Sequence, residues 1–475
     1  MTGPYLSASA IGLAVLAAAS AWMGWTSTAT VIVCAAAIAA LLYVKSATAG
    51  YNSFAMLFVA FVVLYGVPVP LDDALGIESL NTGFPSPHQT AVFVLHLALA
   101  LGGCVLGFSL VRLLQGGSAR SAPPALSDGA GTGILLATAL TLMAAASTFE
   151  IVNFIRVGGL ATLAQGKAVY QSDVEGLRLT LPSYIVSYVA VAAFFLFCAI
   201  ESRQPGRLGR RLRRPVAAFV ILALPLIAAT ALLTRRTELF AWVLIAFVGV
   251  TWFRPMHRLT GTAVAVLLVA YVGVAALGAT RTALGTFQFD RIGGEMWRNE
   301  LLDRLNPGRD EFATPYGVFN EYHAKAWHDP LRGGRTYLDG FAVAVPGFLW
   351  PGPKPRQIDY EVRDRLFPSY GSGSTIASAG FSPILEAYVN FGTLGVPAVY
   401  GVIGAVLALF EWARTGRRRL LLVMLYLSLL PLAQTFQRSA FGPSVISVTA
   451  MTVMILVLFA SLHFIFSLLG RSRAS

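Results

Sequence analysis

Arginines recur in this sequence next to long apolar runs. Arg235 and Arg236 stand between two such runs, Arg281 directly follows another, and Arg291, Arg298, Arg304 and Arg309 come soon after. Arg438 sits in a short polar break before the last run. A guanidinium stays charged at any physiological pH, and its planar fork pairs with two oxygens of one phosphate. A ring of such groups would suit a pyrophosphate, and at least two of Arg236, Arg281 and Arg438 are expected to serve one. The plainer alternatives are snorkelling and contact with anionic headgroups.

A carboxylate forms the second candidate centre. Glu386 lies in the stretch Gly380-Phe-Ser-Pro-Ile-Leu-Glu-Ala-Tyr-Val-Asn-Phe-Gly392, at the start of an apolar helix. An ionisable group there is costly and marks a site by default. Helical spacing puts Glu386 and Asn390 on one face, one turn apart, with Tyr388 between them. A partly buried carboxylate can take a proton from a sugar hydroxyl; equally, it can pair with an arginine and hold the bundle. The third stretch is Val345-Pro-Gly-Phe-Leu-Trp-Pro-Gly-Pro-Lys-Pro355, followed by Arg356. Its prolines force an extended path, Phe348 and Trp350 offer flat faces for sugars or for the membrane interface, and Lys354 and Arg356 add cations. His323 is a candidate to orient or deprotonate a substrate. Its spacing from His328 does not suit a metal site, and no metal or other cofactor is expected. Asp72 and Asp73 read as solvated loop charge.

The elements that must carry these residues are apolar helices. Of the 475 residues, 56% are hydrophobic and only 12% charged, and the mean hydropathy is +0.68. An all-α polytopic membrane protein is the simplest explanation. The formal charge of +12 lies in clusters between apolar runs, which points to topology control rather than nucleic acid. The three cysteines lie inside apolar runs and form neither a metal cluster nor a disulfide framework. About twelve spans are expected, at 6–24, 29–44, 52–70, 89–112, 130–149, 182–200, 215–233, 237–253, 259–279, 383–411, 419–436 and 444–469. Every even-numbered connection is basic, so both termini are expected in the cytoplasm. The chain then divides into nine spans (1–279), a long periplasmic loop containing short helices (280–382), and three last spans with a cytoplasmic C-terminus (383–475). Turn signals punctuate the loop at Asn306-Pro-Gly308, Gly333-Gly334 and Pro351-Gly-Pro353.

Taken together, the bundle, Arg235-Arg236, the long late loop, the Trp-Pro-Gly-Pro-Lys-Pro stretch and Glu-Ala-Tyr-Val-Asn-Phe-Gly resemble the Wzy-type oligosaccharide repeat unit polymerases, relatives of the O-antigen ligases. The resemblance covers roughly residues 230–440. It implies an inner-membrane glycosyltransferase that joins undecaprenyl-pyrophosphate-linked oligosaccharides on the periplasmic side, without metal or nucleotide sugar. It implies a possible chain-length regulator as partner and makes Arg235, Arg236, Arg281, Arg291 and Arg438 candidate pyrophosphate or substrate contacts. Glu386 becomes the base or its support, while Lys354, Arg356, Tyr388 and Asn390 line the approach. An O-antigen ligase, or a carrier of lipid-linked sugars, is the competing reading.

Overall fold

The computed structural model describes residues 3–48, 50–77, 87–116, 129–159, 162, 183–202, 208–232, 236–252, 256, 261–280, 294–307, 311–368, 380–415 and 420–471. Among these the chain is helical, and its single extended pairing is an isolated bridge between Gly50 and Met256. Nine of the described helices are long and apolar enough to cross a membrane, and two shorter apolar helices add to them. A backbone in hydrocarbon must satisfy its own polar groups, so a chain this apolar folds as helices. The protein is a multi-pass membrane protein.

A helix occupies each of the twelve expected spans. In order these are α1 (Gly3–Trp22), α2 (Thr26–Ala47), α3 with α4 (Phe54–Gly66 and Pro68–Ala74), α5 (Pro87–Leu114), α6 (Gly129–Arg156), α7 (Ser183–Glu201), α8 (Leu208–Leu232), α9 (Arg236–Val250) and α10 (Gly261–Ala279). The long loop then carries α11 (Glu295–Leu305), α12 (Thr314–Ala326), α13 (Arg335–Ala344) and α14 (Ile358–Leu366). Last come α15 (Pro383–Phe391), α16 (Gly395–Thr415), α17 (Leu420–Leu429), α18 (Leu432–Thr435) and α19 (Phe441–Arg471).

The expected tenth span, 383–411, is corrected by this order. Gly392 adopts φ +71 and ends α15, so the membrane-length helix begins only at Gly395. Glu386 therefore lies in a separate nine-residue helix ahead of the span. Ser382 starts that helix by accepting a hydrogen bond from Leu385 N at 3.2 Å, and Pro383 sits in its first turn. The eleventh span is likewise broken, at Leu430-Pro431.

The tightest helix pair is α5 with α16. A Cβ on Gly107 would come within 1.9 Å of Gly401 O, one on Gly103 within 2.3 Å of Pro397 O, and one on Gly404 within 2.0 Å of Cys104 O. Small residues let two backbones approach in this way where no hydrophobic driving force exists between helices. At one end of the bundle, Arg414 donates to Asn52 O at 2.8 Å, and Glu411 accepts from Tyr426 OH at 2.7 Å and Ala55 N at 3.1 Å. The loop helices pack at the other end.

Candidate functional site

At that loop-bearing end, α5 enters among aromatic rings supplied by α12 and α15. Phe93 meets Tyr316 and Phe319 edge-on, and His96 meets Trp327 and Tyr388 edge-on. Tyr388 stacks on Trp327 with centroids 3.8 Å apart and donates to Trp327 O at 3.3 Å. It joins α15 to the loop. Asp73 is half-buried and accepts from Thr90 at 2.9 Å, Thr90 shares a hydrogen bond with Tyr316, and Asn306 donates to Asp72 at 3.3 Å. The expectation of solvated loop charge is corrected: the two aspartates fasten α4 to the start of α5 and to the loop.

Glu386 is buried, 1% exposed, and both its oxygens are engaged. Thr336 Oγ1 donates to Oε1 at 2.7 Å, and the backbone N–H of Phe441, the first residue of α19, donates to Oε2 at 2.7 Å. Asn390, one turn on, donates to Thr336 Oγ1 at 2.6 Å and to Glu386 O at 2.8 Å, and its Oδ1 accepts from Gly334 N at 3.1 Å. The turn before α13 closes the arrangement, with Arg332 N donating to Val389 O and Gly333 N to Asn390 O. Gly333 and Gly334 supply the positive φ that this turn requires. Glu386 and Asn390 thus clasp α13, α15 and α19. Burial drives the Glu386 carboxyl up to about 7, against the two hydrogen bonds that favour its charged form.

Two cavities flank the clasp. One of about 290 Å³ is lined by Tyr184, Tyr188, Thr237, Glu238, Thr435 and Arg438, with serines of α19 on its remaining wall. Thr237 follows Arg236 directly, so the start of α9 and the α18–α19 turn meet here. The other, about 630 Å³, is lined by Asp329, Arg332, Arg335, Thr336, Asp339, Arg356 and Glu361, among others. Arg332 reaches both oxygens of Glu361, Arg356 pairs with Asp364, and Arg365 pairs with Asp329. The Arg332 pair holds the Glu361 carboxyl below its ordinary range. Lys354 donates to Val343 O at 2.7 Å and Val345 O at 2.6 Å, capping the C-terminal end of α13. His323 is half-buried, with its ring 5.5 Å from that of His88 and 4.4 Å from that of Trp327. Burial first, then the imidazoles of His88 and His328, pushes its pKa down.

Of the residues singled out in the sequence, Glu386 and Asn390 come together through Thr336, Tyr388 packs apart from them on Trp327, Arg356 lines the larger cavity, and Arg438 lines the smaller. Arg235, Arg281 and Arg291 lie outside the described residues, as does the side chain of Arg236. Sequence reasoning missed Thr336, Arg332 and Glu361. Gly333-Gly334, which it did flag as a turn, was the available pointer to Thr336.

The segment that supplies the clasp and Arg438 is also the segment recognised by comparison. Residues 360–467 match the family model of the O-antigen polysaccharide polymerase Wzy. No curated protein and no solved structure matches the chain. The Wzy match begins in α14, takes in α15 with Glu386, Tyr388 and Asn390, and continues past Arg438 into α19. It leaves out the Val345–Pro355 stretch and Arg235-Arg236. The resemblance read from the sequence holds over this segment and supports an O-antigen polymerase role.

Proposed function

We propose that this protein is a glycosyltransferase that polymerises undecaprenyl-pyrophosphate-linked oligosaccharide repeat units on the periplasmic face of the inner membrane. The observation that carries the proposal is the Wzy match over the part of the chain that places Arg438 in a cavity beside the Glu386 clasp. In this reading the cavity of Arg438 receives the pyrophosphate of the donor, with Arg235, Arg236, Arg281 and Arg291 as further contacts from neighbouring connections. The larger cavity, with Arg356 on its rim, accommodates glycan.

The chemistry is an inverting displacement. A hydroxyl oxygen of the acceptor forms a bond to the anomeric carbon as the bond from that carbon to the pyrophosphate oxygen breaks. The electron pair leaves on the pyrophosphate, where guanidinium groups stabilise it as it develops. The hydroxyl proton passes to a base. Glu386 has both oxygens committed, which favours a supporting role for it; His323, whose pKa burial pushes down, is the proposed acceptor of the proton. Lipid pyrophosphate leaves readily, so positioning contributes much of the rate.

The test is reconstitution of the purified protein with a synthetic lipid-pyrophosphate repeat unit in the presence of EDTA, followed by gel analysis of the glycan. A ladder of longer products is expected. An unchanged intact repeat unit would overturn the proposal in favour of a ligase or a carrier.

A further inference from the structure

Helix α13 presents three different surfaces around its axis. At about 100° per residue, Thr336 and Gly340 fall on one side, and both are buried. Gly340 lies so close to Gly442 that a Cβ would meet Gly442 Cα at 3.0 Å, while Tyr337 and Phe341 meet Phe441 edge-on. This side rests on the first turn of α19. A second side carries Arg335 and Asp339, which line the larger cavity. The third side carries Leu338, 69% exposed, and is bordered by Phe341, which stays 55% exposed beside Phe441; Leu349, in the turn beyond the helix, is 63% exposed.

Side chains of this size stay exposed on one face of a helix for a reason. Further along α19, the helix on which α13 rests, Val453, Leu456 and Val457 are themselves exposed as a span's lipid-facing residues are. Helix α13 thus rests on the first turn of a helix that, further along, carries exposed apolar side chains as a membrane span does. Cations edge it: the Arg335 side chain is 80% exposed and that of Arg356 53%, and Lys354 is exposed while it caps the helix. A short helix with an apolar face bordered by arginine and lysine fits the boundary between acyl chains and phosphates.

We infer that α13 is seated in the outer leaflet, with Leu338, Phe341 and Leu349 among the acyl chains and Arg335 and Arg356 level with anionic headgroups. The occupant of this face is the bilayer itself. The seat fixes the rim of the larger cavity at the depth where the phosphates of any lipid lie. It does not depend on which reaction the protein performs.

The test uses the full-length protein with Cys34, Cys104 and Cys198 replaced by Ala, in vesicles of phosphatidylethanolamine and phosphatidylglycerol. Leu338→Cys and, as a second site, Leu349→Cys are labelled with the environment-sensitive fluorophore NBD; Arg365→Cys serves as the water-exposed reference. Labels at 338 and 349 are expected to emit to the blue of the label at 365. They should be quenched by lipids brominated on their acyl chains and spared by aqueous iodide. Emission and iodide quenching equal to those at 365 would overturn the inference. So would a blue-shifted label insensitive to brominated lipid, which would mean that protein covers the face. Because the readout is depth, a protein that makes no polymer can still pass, and an active polymerase can still fail.

Discussion

Glu386 illustrates how a buried carboxylate can be committed to the packing of several helices. Its two oxygens accept from Thr336 and from the amide of Phe441, so the carboxyl is spent on architecture. Its folded-state pKa, about 7, lies above the ordinary 4.5. The clasp's contribution to stability is therefore complete below the ordinary value and is lost as pH rises through about 7. The thermal midpoint of the detergent-solubilised protein should fall over that window, and Glu386→Gln should flatten the dependence. A Thr336→Val variant leaves Glu386 and Asn390 each short of a buried partner, which costs about 1–3 kcal/mol by denaturation. Arg438, which lines the smaller cavity, is the proposed pyrophosphate contact. Replacing it with Lys keeps the charge and loses the fork, and should lower polymer yield by roughly tenfold or more while the protein stays monodisperse. The sequence marked Glu386 correctly as unusual, since a carboxylate in an apolar stretch is visible in one dimension. Its partners were not, because Thr336 lies 50 residues upstream and Phe441 contributes only a backbone amide.

At the scale of elements, apolar runs located all nine described helices long enough to cross a membrane, because hydrophobicity sustained over such a length has few other uses. What they concealed is where a run breaks. Gly392 interrupts an apolar stretch without lowering its hydropathy much, so α15 and α16 read as one span. The α5–α16 seam was missed for a related reason: Gly103 and Gly107 signal close approach without naming a partner. A Gly107→Leu variant puts a branched side chain where even a Cβ would stand 1.9 Å from Gly401 O. It is expected to separate the two helices and lower the yield of monodisperse protein. Ala at the exposed Gly133, where nothing lies within 4 Å, should leave the yield unchanged.

Across the whole molecule, alternation of basic connections and clustering of polar contacts agree on which segments share an end. The end of α4, the start of α5, the loop helices and the turn before α19 lie at one end, and Asn52, Thr251, Glu411 and Tyr426 meet at the opposite end. The proposed orientation makes the loop-bearing end periplasmic. In a chain otherwise free of cysteine, Arg365→Cys should react with a membrane-impermeant maleimide in cells whose outer membrane alone is permeabilised, and a C-terminal tag should stay shielded. Labelling of the tag instead would invert the topology.

The bond from Phe441 N–H to Glu386 also dictates an order of events during synthesis. Residues 335–390 leave the ribosome well before Phe441, and chain elongation proceeds at about 5–20 residues per second. In the proposed orientation the loop crosses the bilayer and waits there, its carboxylate unfastened, until α19 has been made and inserted. Chains truncated before Phe441 would carry an open loop, an obvious target for a surveillance protease. Helix α19 is the latch that closes it.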